Sequence, residues 1–134
     1  MIYFISGHRD LTQEEFNLHY LPIINSVLED DDTPEFVIGD WEGCDTFALE
    51  YLVTLHSIPW ITIYCVGEPR VKPHGSIATD YEEVYTKVLN SYDECDEAMT
   101  KDSIFDIAWI RPGREDSHTA KNIKRRYESN VCYY

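Results

Sequence analysis

Short apolar runs alternate with longer amphipathic segments along the whole chain. Four of these runs are rich in β-branched and aromatic side chains and predict buried strands, at residues 2–5, 36–38, 60–66 and 104–110. The segments between and after them predict helices, over residues 12–28, from Cys44 onward, over 81–99 and over 119–128. Strands that alternate with helices imply right-handed crossovers and a parallel sheet covered on both faces. We therefore predict one α/β domain over residues 1–134, a Rossmann-like three-layer α/β/α arrangement with a mainly parallel sheet of about four to five strands.

Local signals refine the predicted helices. Thr12 followed by Glu15 is a capping-box pattern, and Pro22 should kink the first helix or divide it into two. The apolar stripe of this helix is predicted at Phe16, Tyr20, Ile23 and Val27. Asp80 is the predicted N-cap of the helical region over residues 81–99.

Three turns are the most unusual segments of the chain, at residues 6–10, 39–45 and 111–119. If the four predicted strands lie in the order 3-2-1-4, these turns meet at the carboxyl edge of the sheet. Ligands of open α/β sheets bind in the crevice at that edge, where the strand order reverses. We therefore expect the three turns to form one ligand site.

The first two turns offer small residues, a hydroxyl, a cation and carboxylates. Gly7 can adopt positive φ and let a ligand approach the backbone, and Asp45 either accepts hydrogen bonds from ribose hydroxyls or caps its helix. Trp41 either stacks on a base or covers the turn. The predicted ligand contacts here are Ser6, Gly7, His8, Arg9, Gly39, Asp40, Gly43 and Asp45.

The third turn begins a basic segment. Six of the 11 Lys and Arg residues lie between Arg111 and Arg126. Hydroxyl groups and free amides at the start of a helix suit a phosphate, and nearby cations would help to neutralise it. The predicted contacts are Arg111, Gly113, Arg114, Ser117, His118 and Thr119, with Lys121 close by. The alternative is a basic helix face that offsets an acidic surface.

In these three turns the chain resembles the SLOG superfamily of DprA-like and LOG-like Rossmann-type nucleotide-binding domains. The matching segments are residues 6–9 after the first strand, 39–45 after the second and 117–119 before the last helix. The resemblance implies binding of a nucleotide or a nucleotide derivative, and some members of the superfamily cleave N-glycosidic bonds. Asp40 and His118 stand where the superfamily usually has glycine, and Asn122 stands where LOG-like hydrolases have a catalytic Glu. LOG-type hydrolysis is therefore not expected.

Composition excludes several classes of function. The net charge of −14 opposes binding to the nucleic-acid backbone. No apolar run reaches the ~20 residues that a bilayer crossing needs, and no signal peptide is seen, so a cytoplasmic protein with reduced cysteines is expected. No cofactor and no metal site are predicted, since the four cysteines lack metal-ligand spacing. The protein could form a homodimer or a higher homo-oligomer, and the aromatic tail at residues 129–134 is the candidate subunit contact.

Three functions are compatible with the sequence. The first is a module that binds a small phosphorylated ligand, a nucleotide or an ADP-ribose-like derivative, as a sensor, sequestering protein or carrier. The second is a nucleotide N-glycosidase or a deoxyribosyltransferase-like enzyme with Asp45 or Asp40 as its catalytic carboxylate. The third is a protein-interaction module with a vestigial pocket.

Overall fold

The computed structural model describes the backbone of residues 1–131 and the side chains of residues 1–128. Five strands and five α-helices alternate along this part of the chain, with two short 3₁₀ turns at Pro73–Gly75 and Ala78–Asp80. The strands and helices are β1 Ile2–Ser6, α1 Gln13–His19, α2 Leu21–Asp30, β2 Glu35–Ile38, α3 Cys44–Val53, β3 Trp60–Cys65, β4 Val84–Val88, α4 Tyr92–Asp102, β5 Phe105–Ala108 and α5 His118–Val131.

The strands form one parallel sheet in the order β4-β3-β2-β1-β5. The predicted fold class is thus confirmed, and the four predicted strands lie in the order 3-2-1-4, the condition under which the three turns meet at one edge. The chain moves from β1 to β4 in one direction and then returns across the sheet to β5. Because crossovers are right-handed, helices that connect strands added toward one edge of the sheet lie on one face, and helices that connect strands added toward the other edge lie on the opposite face. Accordingly α1, α2 and α3 cover one face, whereas α4 and α5 lie on the other.

Alternation along β1 divides its side chains between the two faces. Tyr3 and Ile5 belong to the larger core beneath α1, α2 and α3. Phe4 points the other way, into a smaller core with Cys95 and Met99 of α4. The same alternation places Ser6, the last residue of β1, on the α4 and α5 side at the carboxyl edge of the sheet.

The first predicted helix is divided into two near Pro22, which is one of the two outcomes that the sequence predicted, the other being a kink. The Thr12–Glu15 capping box forms, and Pro22 lies in the first turn of the new helix α2. Because α2 restarts at Leu21, the buried position is Ile24, whereas Ile23 is 45% exposed. The predicted position of Ile23 in the buried stripe is therefore wrong.

The predicted helical region over residues 81–99 is also wrong in its first part. Residues Val84–Val88 form the edge strand β4, which pairs with β3 from Ile61↔Val84 to Cys65↔Val88. Their β-branched and aromatic composition favours a strand, and β4 satisfies backbone groups of β3 that would otherwise lie at an open edge. Asp80 lies in a 3₁₀ turn, and Ser91 instead caps α4 by accepting a hydrogen bond from the Glu94 amide.

Three of the cysteines, Cys44, Cys65 and Cys95, are free and buried, whereas Cys132 lies outside the described residues. The side chains of the tail at residues 129–134 also lie outside them, so the predicted subunit contact there stays a prediction. Within residues 1–131, no helix has the length and apolar character needed to cross a membrane.

Candidate functional site

A cavity of about 280 Å³ lies at the carboxyl ends of β1 and β2, between the turns that follow these strands and the helices α4 and α5. Eight of the residues predicted to contact a ligand line it. They are Ser6, Gly7, Arg9, Gly39, Asp40, Asp45, His118 and Thr119. All three predicted turn regions therefore contribute to one cavity at the expected edge of the sheet.

Helix α4 supplies a wall of the cavity that the sequence did not predict. Tyr92, Cys95, Asp96 and Met99 line it. Their spacing of three, four and seven residues places them on a single helix face. That spacing was the signal that could have found them, since the predicted helix over residues 81–99 already contained all four. Asn122, one turn into α5, is a further lining residue that sequence reasoning did not assign to the site.

The other predicted residues lie outside the cavity, where they hold the turns together. His8 is buried, and its Nε2 atom accepts a hydrogen bond from the Arg111 backbone amide at 2.9 Å. Burial lowers the His8 pKa, as do the nearby charges of Arg114 and Arg111, so that Nε2 remains an acceptor. Ser117 accepts a hydrogen bond from the Ala120 amide at the start of α5. Gly113 has positive φ within its turn.

The two arginines of the third turn bind carboxylates of the first turn and of α1. The Arg111 guanidinium contacts Glu15 at 2.6 Å and Asp10 at 3.1 Å, and Arg114 contacts Asp10 at 3.3 Å. Hydrogen bonds from Arg111 lower the pKa of Glu15 to about 2. These cations therefore fasten the β5–α5 turn to α1, and they do not line the cavity.

Two glycines in the turns are required by close packing. An ideal Cβ atom at Gly7 would lie 2.5 Å from the Tyr20 hydroxyl and 2.6 Å from the Cys44 Cβ atom. Gly7 does not have the positive φ that we expected, and its role is to allow this contact. Gly43 does have positive φ, at 75°, and a Cβ there would collide with the Arg9 carbonyl oxygen. The two turns are thus pressed against each other.

Tyr20 joins the first turn to the end of β5. Its buried hydroxyl donates a hydrogen bond to the Ser6 carbonyl oxygen at 2.8 Å and accepts one from the Trp109 amide at 3.0 Å. Burial raises the pKa of this hydroxyl, which keeps it a donor. This single side chain fixes the backbone position of Ser6 in the cavity wall.

The buried carboxylate of Asp40, which lines the cavity, pairs with the exposed guanidinium of Arg70. The side chain of Asp40 is fully buried and accepts hydrogen bonds from Arg70 Nη2 at 2.9 Å and from Arg70 Nε at 3.2 Å. The Arg70 guanidinium also lies 3.8 Å from the centre of the Trp41 ring, and Arg9 lies 3.9 Å from the same centre. The Tyr92 ring centre is 4.9 Å from that of Trp41. Arg70 was not predicted because it lies in the long β3–β4 loop.

Asp45 is a second buried carboxyl group in the cavity wall. Its Oδ2 atom accepts a hydrogen bond from the Trp41 amide at 3.1 Å, so it organises the turn before α3. Burial raises its pKa to about 7, partly opposed by that hydrogen bond, and the charges of Asp40 and Asp96 add to the increase. Burial also raises the pKa of Asp96, whose carboxylate lies 3.9 Å from His118 Nδ1. A carboxyl group that titrates near neutral pH can donate or accept a proton.

Ser6 presents a polar atom without a partner. Among the described residues, its Oγ atom is buried and has no hydrogen-bond partner, although Ser6 lines the cavity. A buried hydroxyl in this state costs about 1–3 kcal/mol relative to a satisfied one. A ligand group or a water molecule in the cavity would remove that cost.

Among the described residues, no group of three or more His, Cys, Asp and Glu side chains is placed to hold a metal ion. Comparison with known proteins gives no match to a family model, to a curated protein or to a solved structure. The resemblance to the SLOG superfamily stays a prediction. The molecule itself defines a Rossmann-like α/β domain with a partly polar, partly aromatic cavity at the carboxyl edge of its sheet.

Proposed function

We propose that this protein binds a nucleotide, or another nucleotide-derived phosphorylated ligand such as an ADP-ribose-like molecule, in the cavity between α4 and α5. It would act as a sensor, a sequestering protein or a carrier. The observation that carries the proposal is the Ser6 Oγ atom, buried in the cavity wall without a partner among the described residues. A ligand with hydroxyl or ring-nitrogen groups would supply the missing hydrogen bond.

The chemistry of the walls suits a nucleotide. Phe4 and Met99 provide an apolar surface, and the Tyr92 ring adds an aromatic surface against which a base can pack. Arg9 lines the same cavity and supplies a positive charge. Small-molecule sites generally combine a mostly apolar lining with a few polar groups that fix the ligand's orientation.

Ser6→Ala tests the proposal because it has two opposite expected effects. Removing an unsatisfied buried hydroxyl should leave the free protein as stable or stabilise it by about 1 kcal/mol. The same change should weaken ligand binding roughly tenfold, since a ligand hydrogen bond is lost. The measurements are thermal unfolding of the free protein and equilibrium dialysis against nucleotides, NAD and ADP-ribose, with mass-spectrometric analysis of both compartments.

Thr100→Val provides the matched control. Thr100 Oγ1 is also buried without a partner among the described residues, but Thr100 does not line the cavity. It should therefore leave ligand binding unchanged. If wild-type protein retains none of the compounds, the binding proposal fails and the protein-interaction alternative is preferred. If Ser6→Ala binds as well as wild type, Ser6 is not a ligand contact.

One observation favours the enzymatic alternative. Both predicted catalytic carboxylates line the cavity, but Asp40 is held by Arg70, whereas Asp45 has a pKa of about 7. Hydrolysis of an N-glycosidic bond by Asp45, acting as nucleophile or as base for water, is therefore our second proposal. Free base and sugar phosphate in the dialysis samples would support it, and Asp45→Asn should abolish their release. Retained but intact ligand would contradict it.

A further inference from the structure

A second depression adjoins the cavity on its outer side. This outer groove, of about 460 Å³, is lined by residues of the β2–α3 turn and of the β3–β4 loop. It shares Arg9, Asp40 and Trp41 with the cavity. A ligand that fills the cavity and extends beyond it at these shared residues would enter this groove.

The groove is positive in an otherwise strongly acidic chain. It contains the cations Arg9, Arg70 and Lys72 and the acids Asp40 and Glu42. The Asp40 carboxylate is fully buried and already bonded to Arg70. Within residues 1–128, neither Arg9 nor Lys72 forms an ion pair with a carboxylate. These two side chains are therefore available to an anion, whereas Arg70 is bonded to Asp40.

The interior of the cavity has the opposite character. Beyond the shared residues, its charged groups are Asp45 and Asp96, with His118 beside Asp96 at 3.9 Å. A phosphate in this chamber would face two carboxyl groups, whereas sugar hydroxyls and a base would find hydrogen-bond acceptors there. Its volume of about 280 Å³ is at the lower end of the range for small-molecule pockets and suits a single nucleoside.

We infer that the ligand is a mononucleotide whose nucleoside part occupies the cavity and whose phosphate lies in the outer groove against Arg9, Arg70 and Lys72. This inference rests on the proposed function and defines how the ligand lies in the site. It moves the phosphate away from the β5–α5 turn, where the sequence predicted it. There the guanidinium groups of Arg111 and Arg114 are bonded to Glu15 and Asp10.

The test compares nucleosides with their 5′-monophosphates, because the difference in affinity measures the phosphate contribution alone. Isothermal titration calorimetry would use AMP, GMP, CMP, UMP and their deoxy forms, each beside its nucleoside. Three double variants each remove two positive charges. The first, Arg9→Gln with Lys72→Gln, alters the groove. The second, Arg114→Gln with Lys121→Gln, alters the β5–α5 region. The third, Lys101→Gln with Lys124→Gln, is the control at exposed helix positions outside both depressions. Arg70 is left intact because its loss would strand the buried Asp40 charge.

Wild-type protein should bind one monophosphate roughly tenfold or more tightly than its nucleoside, from charge-assisted hydrogen bonds. The Arg9 and Lys72 variant should lose most of that ratio, whereas the other two variants should keep it. The ratio should also shrink as salt is added. Thermal unfolding of each variant checks that the fold is intact.

The outcomes separate the two proposals. If wild type binds a mononucleotide but the ratio persists without Arg9 and Lys72, or disappears without Arg114 and Lys121, only the inference on the phosphate is overturned. Equal affinity for nucleoside and nucleotide overturns it as well. If wild type binds only larger compounds such as ADP-ribose, the mononucleotide inference fails while the proposed function stands. If nothing binds, both fail.

Discussion

The buried carboxyl of Asp45 should make the free energy of unfolding fall as pH rises toward neutrality. In the folded protein its pKa is about 7, against 3.8 for an exposed aspartate. Because the folded-state pKa is raised, the contribution of Asp45 to stability is fully present below about pH 3.8 and is lost as pH rises to about 7. The complete loss corresponds to roughly 4 kcal/mol. Asp45→Asn keeps a hydrogen-bond acceptor for the Trp41 amide but removes this titration.

The assay is urea-induced unfolding of wild type and Asp45→Asn at several pH values between about 5 and 8, well above the sequence pI of 4.5. Over that range the variant should gain roughly 2.5 kcal/mol relative to wild type, with most of the gain below pH 7. Burial raises the pKa of Asp96 and Asp106 too, so wild type alone would mix several titrations. The difference between the two proteins isolates Asp45. A difference that stays constant with pH would refute the reasoning.

Further predictions concern the contacts that hold the turns. Gly7→Ala should destabilise the fold by about 2–3 kcal/mol because its Cβ would overlap Tyr20 and Cys44. Gly67 has positive φ but lies in open space within the described part of the chain, so Gly67→Ala should cost only about 1 kcal/mol. Thermal unfolding measures the loss for both variants. Tyr20→Phe should cost about 2–4 kcal/mol in urea unfolding, since it leaves the Ser6 carbonyl and the Trp109 amide without their partner; a loss below 0.5 kcal/mol, as for an ordinary surface change, would contradict this role. Arg111→Gln should return the Glu15 pKa from about 2 toward 4.5, measured by NMR titration, whereas Arg114→Gln should not. The stabilisation from ionised Glu15 is present above pH 4.5 and is lost as pH falls toward 2.

The central strands could be predicted because they are encoded locally, whereas their order in the sheet was only assumed. Continuous apolar runs such as residues 60–66 mark buried parallel strands, and the Thr12–Glu15 pair marks a helix start. Strand β4 was missed because it lies at the edge. Only Val84 is buried in it, so the sequence lacks the apolar run of a central strand.

The candidate site could be predicted in its position but only in part in its composition. The turns after β1 and β2 were found because each pairs glycine with polar residues directly after an apolar run. The partners of the cations could not be found. Arg111 reaches Glu15, 96 positions away, and Arg70 reaches Asp40, 30 positions away, and neither distance in sequence leaves a local pattern. The number of Lys and Arg residues in a segment thus overestimates how many cations are available to a ligand.

The position of β1 between β2 and β5 also determines when the cavity can form during synthesis of the chain. One neighbour of β1, the strand β2, follows within about 30 residues, but the other neighbour pairs Tyr3 with Phe105 near the end of the sequence. A nascent chain therefore keeps one edge of its first strand unpaired until β5 emerges, and such long-range pairing slows folding. Thr119 and Asn122, which close the cavity, emerge later still. A fragment that ends before β5 should expose an unpaired strand edge that is prone to aggregation, and it should bind no ligand. Assembly of the site therefore coincides with completion of the sheet.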